Sequence, residues 1–432
     1  MKSLILLLFF SLAQAQQPRW RVASGTEGSP GLDVDIFLGD PDTLYAISGG
    51  SKISSDRGEH WDTMPVSGPG PPVEVDPLDS RILYGWFLVP WGERFGRTTD
   101  RGQTWTYISD VHSLGRPLVE IDPVDPYTVY ASRGPSFILK STDRGETWNL
   151  LPTPPEAHVI ASLAIAPSDH NTLYAGFVSG MFKSTDRGCS WTQLPWGIFA
   201  NGYELAVDPY NPDIIYAALF NYNPPPQVYK STDGGTTWVE KSNGLTSEES
   251  AIRTIVIHQK NPRELYLGTW SQQGRALFRT TNGAEVWEPY ANGLPDTGSV
   301  VSIAIDTLNG RMYAAAAPGL GEQDGGIYIL DTVTTDVRPP TDQHPQAFTL
   351  RQNYPNPFNS QTTIQFSLSQ RTKVQLKVYS LLGQEIKTLL DKIHEAGSYS
   401  VLFDAKNLSS GIYVYRLITL NHVQSKWMVI LR

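Results

Sequence analysis

Ser141-Thr142-Asp143-Arg144-Gly145-Glu146-Thr147-Trp148 is polar, rich in turn formers and closed by a tryptophan, and the chain repeats it. Good copies are SSDRGEHW (54–61), TTDRGQTW (98–105), STDRGCSW (184–191) and STDGGTTW (231–238). TTNGAEVW (280–287) is a worn copy, with Asn282 for Asp and Ala284 for Gly. The closing tryptophans stand at 61, 105, 148, 191, 238 and 287, intervals of 43 to 49 residues. Such periods belong to propellers and solenoids. Around Trp148 an alternating run (Leu118 to Asp122) leads through a Pro-Asp turn to a strand ending Val129-Tyr130-Ala131. A third strand (Phe137 to Lys140) enters the octapeptide, and Trp148 opens a fourth. Four short strands joined by turn residues make a propeller blade.

The second-strand tyrosine recurs at Tyr45, Tyr84, Tyr130, Tyr174, Tyr216, Tyr266 and Tyr313, seven times against six octapeptides. The last unit ends in GGIYILD (325–331), with three strands and no octapeptide. Its missing strand is expected at the other end of the chain. Trp20-Arg21-Val22 lies fourteen residues before Val34, as Trp105 lies fourteen before Val119. The expectation is an all-β, seven-bladed β-propeller over residues 16–335 whose N-terminal strand completes the last blade and removes an open sheet edge.

The octapeptide chemistry suits a hairpin turn. Ser/Thr and Asp side chains accept hydrogen bonds from N–H groups that a tight turn leaves unpaired, Gly admits positive φ, and Trp lays an apolar face between blades. The pattern S/T-x-D-x-G-x-x-W resembles the Asp-box, or BNR repeat, of sialidases, xyloglucan-cleaving propellers, sortilin-type receptors and photosystem assembly factors. The matching positions are Asp56, Gly58 and Trp61; Asp100, Gly102 and Trp105; Asp143, Gly145 and Trp148; Asp186, Gly188 and Trp191; Asp233, Gly235 and Trp238. The resemblance implies a fold, not an activity, because one catalytic group repeated around a ring serves no single reaction centre. Arg57, Arg101, Arg144 and Arg187 inside these turns are expected to be solvated turn residues rather than a substrate-carboxylate clamp.

Composition narrows the function classes. The formal net charge of −9 argues against nucleic acid and anionic membrane surfaces as electrostatic partners. Lys2, the apolar run Leu4–Leu12 and Ala13-Gln14-Ala15 form a signal-peptide pattern over residues 1–15, and no later run is long enough to span a bilayer. Cys189 is the only cysteine. It excludes an intrachain disulfide, and it falls at a variable octapeptide position, where a tolerated surface residue is expected rather than a nucleophile.

In such a blade the loops after the second and fourth strands share the face opposite the octapeptide, and function is expected there. These loops concentrate aromatics: Trp86, Trp91, Trp196, Tyr203, Tyr222 and Trp270 are the expected ligand contacts, beside Phe95 and Phe199. Their flat faces would hold a sugar ring or anchor a protein partner; the alternative is that they pack loops onto the rim. A glycosidase needs two carboxylates. Glu93, Asp110, Glu156, Glu248, Glu249, Asp296, Glu322 and Asp324 lie in these loops, and nothing in the sequence selects a pair, so the catalytic residues stay unknown. No sialidase start motif precedes the first repeat, and the xyloglucan-type enzymes that the repeats resemble use two facing propellers where one is read here. The eight histidines show no H-x₃-H or H-E-x-x-H spacing, and there is no G-x-S-x-G elbow or P-loop. No metal and no cofactor is expected.

Residues 336–347 are polar and Pro-rich, a linker. From 348 to 432, five alternating strands predict a small Ig-like β-sandwich. This tail resembles the type IX (Por) secretion C-terminal sorting domain through Asn353-Tyr354-Pro355-Asn356-Pro357-Phe358-Asn359, Val378-Tyr379 with Leu382-Gly383, Ala396-Gly397, Ser409-Ser410-Gly411-Ile412-Tyr413 and the closing Lys426-Trp427-Met428-Val429-Ile430-Leu431-Arg432. Ser360 departs from the Pro that many members carry after NPFN. The resemblance implies recognition by an outer-membrane translocon, with the protein secreted or held on the outer-membrane surface of a Gram-negative bacterium. The functional expectation is a secreted or surface propeller that binds a glycan or protein on its loop face, with a glycoside hydrolase (sialidase-like or xyloglucanase-like) using two loop carboxylates as the alternative.

Overall fold

The computed structural model describes residues 19–331 and 349–430, apart from residues 38–39, 65–69, 90–91, 112–117, 134–135, 155–157, 198–201, 221–224, 308–309 and 320–323 in the first span and 351–352, 354–355, 357, 369–370, 381–384, 396, 407, 410 and 420–422 in the second. The signal-peptide and linker segments therefore lie outside the described residues. The chain divides into two compact units, one up to Thr334 and one from Thr335.

Among the described residues the first unit holds seven antiparallel blades. The second blade runs Gly70–Val75, Leu83–Val89, Gly92–Thr98 and Thr106–Val111 from axis to rim. The third runs Val119–Ile121, Val129–Arg133, Phe137–Ser141 and Asn149–Leu150. In the seventh, Gly298–Asp306, Arg311–Pro318 and Gly326–Asp331 are completed by Arg21–Val22, which pairs Arg21 with Ile329 and Val22 with Tyr328. The N-terminal closure expected from the Trp20 spacing is thus present. Trp20 is buried and donates its indole N–H to the Tyr290 carbonyl at 2.9 Å. The sixth and seventh blades also join directly, Trp270 opposite Ser299 and Ser271 opposite Gly298.

The seven tyrosines are all buried, and six of their hydroxyls donate to the backbone of the next blade. Tyr84 reaches Arg144 O (2.7 Å), Tyr130 reaches Arg187 O (3.3 Å), and Tyr313 reaches Arg57 O (3.0 Å), so the ring is closed from the seventh blade to the first. The exception is Tyr266, which bonds Glu264 of its own blade.

Each octapeptide folds as its residue types require. Ser141 Oγ accepts the Gly145 N–H at 2.8 Å and donates to Asp143 Oδ1 at 2.7 Å. Asp143 in turn accepts the Thr147 N–H and hydroxyl. Gly145 sits at φ +79°, where a Cβ would lie 2.8 Å from the Tyr84 ring. The residue before it also takes the left-handed region, Arg144 at +59° and Gly234 at +71°. Its N–H ties the turn to the first-to-second-strand turn of the same blade, as from Arg144 to Tyr127 O at 2.9 Å.

The second unit pairs a sheet of Thr349–Leu350, Gln361–Leu368 and Gly397–Asp404 with a sheet of Glu385–His394, Thr372–Ser380, Gly411–Ile418 and Val423–Ile430. A core of Phe358, Ile364, Phe366, Val374, Leu376, Tyr415 and Met428 lies between them, as expected for a small sandwich.

Candidate functional site

The innermost strands leave one edge unpaired along the axis, and side chains of the preceding blade supply the missing acceptors. Asp33 accepts the Val73 N–H at 2.7 Å, Asp35 the Val75 N–H at 2.8 Å, and Ser162 the Leu205 N–H at 3.2 Å. At the register of Asp35 the next two blades carry Glu74 and Glu120, while the following four carry Ala164, Ala206, Val256 and Ala304. Three carboxyls on adjacent strands thus share one side of the axis. They keep some solvent-accessible surface, yet protein atoms crowd them on all sides. Burial pushes the Asp35 carboxyl up to about 7, helped by the charge of Asp33 and opposed by its N–H bonds. Burial raises Glu120 to about 8 and Glu74 well above the carboxylate range, where the charges of Asp35 and Glu120 add to the effect. The sequence reading passed over these residues; the signal was there in three aligned strands, Val-Asp-Ile, Val-Glu-Val and Val-Glu-Ile.

A second cluster occupies the loop face at the sixth and seventh blades. The loop after Leu265–Ser271 is held by Ser271 Oγ, which accepts the Gln273 and Arg275 N–H groups, and by Gly274 N–H donating to Asp296 O. This brings Arg275 to 3.3 Å from both Glu248 and Glu249. Glu249 is fully buried and also accepts the Thr246 N–H and hydroxyl, so it anchors the arginine. Glu248 and Asp296 stay exposed, and Trp270 is half-buried beside them, between Ser250 and Ser299. Of the residues expected on the functional face, Glu248 and Glu249 thus meet Arg275, Asp296 adjoins the same loop at Gly274, and Trp270 lies at the end of the strand that leads into it. Arg275 itself the sequence reading missed because a lone loop arginine carries no pattern.

The other expected contacts divide. Trp86 and Tyr203 are corrections: both are buried, Trp86 against Phe95 (centroids 5.1 Å) and Tyr203 against Trp196 (5.7 Å), so their rings pack the blades and present no face to a ligand. Trp196 is half-buried and also meets Trp238 edge-on at 4.7 Å. Trp91, Tyr222, Phe199, Glu156 and Glu322 lie outside the described residues, as do the side chains of Glu93 and Asp110.

Arg101 is exposed, as expected of a solvated turn residue, but Arg144 and Arg187 differ from that expectation. Arg144 forms a bidentate pair with the fully buried Asp76 of the preceding blade, its Nε at 2.7 Å. Arg187 contacts His170, which reaches the buried Asp122 at 3.1 Å. A buried carboxylate needs such a partner, and the arginine's left-handed turn conformation delivers it across the blade seam. Cys189 is exposed. Among the described residues no group of three or more His, Cys, Asp or Glu is arranged to hold a metal.

In the second unit the Asn353–Asn359 stretch is tied to the closing strand. Asn356 accepts the Val429 N–H at 2.7 Å, Phe358 is buried with its N–H on Val429 O at 3.0 Å, and Asn353 bonds Thr362 and Tyr415. Tyr354, Pro355 and Pro357 lie outside the described residues. Residues 352–431 match the family described as secretion system C-terminal sorting domain. The second unit is that sorting domain. It addresses the chain for type IX export, to the cell surface or beyond, in a Gram-negative bacterium.

The propeller is similar to xyloglucanases. It is 30% identical over 261 residues to xyloglucanase Xgh74A of Acetivibrio thermocellus, covering 46% of this chain and 31% of that protein. It is 24% identical over 324 residues to a xyloglucanase of Hypocrea jecorina, 66% of this chain and 34% of that one. The chain spans about a third of the length of these curated relatives. Among solved structures, a xyloglucanase from Xanthomonas campestris superposes with a TM-score of 0.57 at 16% identity, over 80% of this chain and 59% of that one. YCF48 from Cyanidioschyzon merolae superposes with a TM-score of 0.52 at 14% identity, over 72% of this chain and 98% of that one. Both likenesses show the propeller fold.

Proposed function

We propose that the exported propeller is a glycoside hydrolase acting on a β-glucan of the xyloglucan kind, with its sugar-holding surface at Trp270 and its carboxylate pair in Glu248 and Asp296. The observation that carries this is the gathering of an aromatic ring, a guanidinium and two exposed carboxylates in one corner of the loop face. That set matches what a pyranose asks for: a flat apolar face, hydrogen-bond donors and acceptors for its hydroxyls, and an acid and a base flanking the scissile bond. The xyloglucanases among the chain's relatives support the choice of polymer. Arg275, fixed from below by Glu249, positions Glu248 at the rim.

The test is release of reducing ends from xyloglucan by the purified full-length chain. Glu248→Gln and Asp296→Asn should each lower turnover by 10²-fold or more, while Trp270→Ala acts mainly on KM. A second reading, binding without cleavage, is favoured by the ion pair that holds Glu248 to Arg275 at 3.3 Å. It takes over if xyloglucan binds in affinity electrophoresis, Trp270→Ala abolishes that binding, and no reducing ends appear.

A further inference from the structure

The octapeptide carries a glutamate at its sixth position in three blades, Glu59, Glu146 and Glu285. Two of them are closed by a cation of the preceding blade, Glu59 by Arg311 at 2.8 Å and Glu285 by Lys241 at 2.6 Å. The second seam, between the second and third blades, stands open: Arg97 and Glu146 are 3.8 Å apart. The Arg97 side chain is only 14% exposed, and its Nε is buried without an acceptor. The wall of this seam is also unusual. The outer strand of the second blade, Thr106–Val111, has six residues, where those of the first, third, fourth, fifth and sixth blades have two. Between that wall and the third octapeptide lies a cavity of about 490 Å³, bounded by Arg97, Thr106, Ile108, Glu146 and Trp148 among others.

We infer that the seam between the second and third blades is an accessory carbohydrate-binding site that takes one or two neutral glycosyl units. Its size falls within the range of small-ligand sites. The open ion pair offers a donor and an acceptor to neighbouring hydroxyls: one sugar oxygen accepts from the Arg97 guanidinium while the next donates to the Glu146 carboxylate. The Thr106 hydroxyl serves either role. Trp148 and Ile108 supply an apolar wall for the C–H face of the ring. An anionic ligand would be drawn to Arg97 but repelled by Glu146, which favours a neutral sugar. The site lies at the octapeptide side of a blade seam, away from the loop-face corner at Trp270, and would hold a polymer without cutting it. It rests on the polysaccharide reading only for the choice of probe.

The test is titration calorimetry of the full-length chain carrying Trp270→Ala, so that the loop face does not contribute, with cellotetraose as the probe. Binding is expected to persist in this background, to weaken at least tenfold with Arg97→Met, and to weaken about fivefold with Glu146→Gln. Glu146 is 68% exposed, so its substitution leaves the fold intact and keeps the test valid if Arg97→Met does not fold. Absence of binding up to 10 mM, or affinity unchanged within twofold in Glu146→Gln, overturns the site. Reducing-end release from xyloglucan by the parent chain is measured beside it: seam binding without release sinks only the hydrolase reading, and release without seam binding sinks only the seam reading.

Discussion

The octapeptide turns and the axial strands treat the same chemical group in opposite ways. In the turns, hydrogen bonds from Thr104, Thr147 and Thr237 hold the carboxyls of Asp100, Asp143 and Asp233 down at about 2. Along the axis, burial lifts Asp35 to about 7, with the charge of Asp33 adding to it, and burial alone lifts Glu120 to about 8. The turn aspartates repeat in five blades, whereas the axial acids occupy three adjacent ones and give way to Ala164, Ala206, Val256 and Ala304 in the rest. Repetition marks scaffold, because every blade has the same turn to satisfy. Departure from repetition marks positions that the ring does not need, and both the axial acids and the open second seam are departures.

The comparison breaks first if a turn aspartate proves dispensable. Asp143→Ala removes the acceptor of the Thr147 N–H and hydroxyl and of the Ser141 hydroxyl. It should cost about 2–3 kcal/mol, because three hydrogen bonds to a charged acceptor are lost. Asp143→Asn should cost about half as much, since an amide oxygen still accepts, as Asn282 does from Val286 at 3.2 Å. Urea denaturation midpoints of the full-length chain measure both. A loss within 0.5 kcal/mol for Asp143→Ala, on the order of an ordinary surface change, would mean that the turn is an ornament on the blade.

A smaller effect is expected at the turn glycine. Gly145→Ala at φ +79°, with the new Cβ 2.8 Å from the Tyr84 ring, should cost about 1–2 kcal/mol. The sixth blade shows how the same change is tolerated. Ala284 holds φ +70° and is fully buried in a cluster with Trp287, so its neighbours are shaped around the methyl group. If Gly145→Ala is neutral in the same denaturation assay, the seam between the second and third blades has the same latitude.

How far these features were legible follows the same division. Seven blades, the turn chemistry and the N-terminal closure could be read because a repeated motif states its geometry several times over, and the fourteen-residue offset from Trp20 to Val34 located the missing strand. The loop aromatics were read less well. Trp86 and Tyr203 look like loop residues by position, but each continues a strand and turns its ring into a seam, which depends on strand length rather than on residue type. Arg275 and the Arg144–Asp76 pair join residues distant in sequence or in adjacent blades, and no spacing rule encodes them.

The smallest effect concerns pH, and it sharpens the comparison because the two regions pull in opposite directions. In the unfolded chain these carboxyls ionise near 4. A turn aspartate is depressed in the fold, so its stabilisation is present above about 4 and is lost as pH falls toward 2. An axial acid is raised in the fold, so its contribution is fully present below about 4 and is lost as pH rises through 7 to 8. Stability should therefore peak in mild acid and decline toward pH 8. Glu74→Gln removes the central carboxyl of the axial group, relieving both its own burial as an anion and its repulsion of Asp35 and Glu120. The variant should melt higher than the parent chain at pH 8 and not at pH 5, by an amount within about 1 kcal/mol because the group keeps some contact with solvent. Melting curves of the two proteins at both pH values decide it: equal shifts at pH 5 and pH 8 would show that burial does not hold the Glu74 carboxyl protonated, and the contrast between axis and turn would then rest on geometry alone.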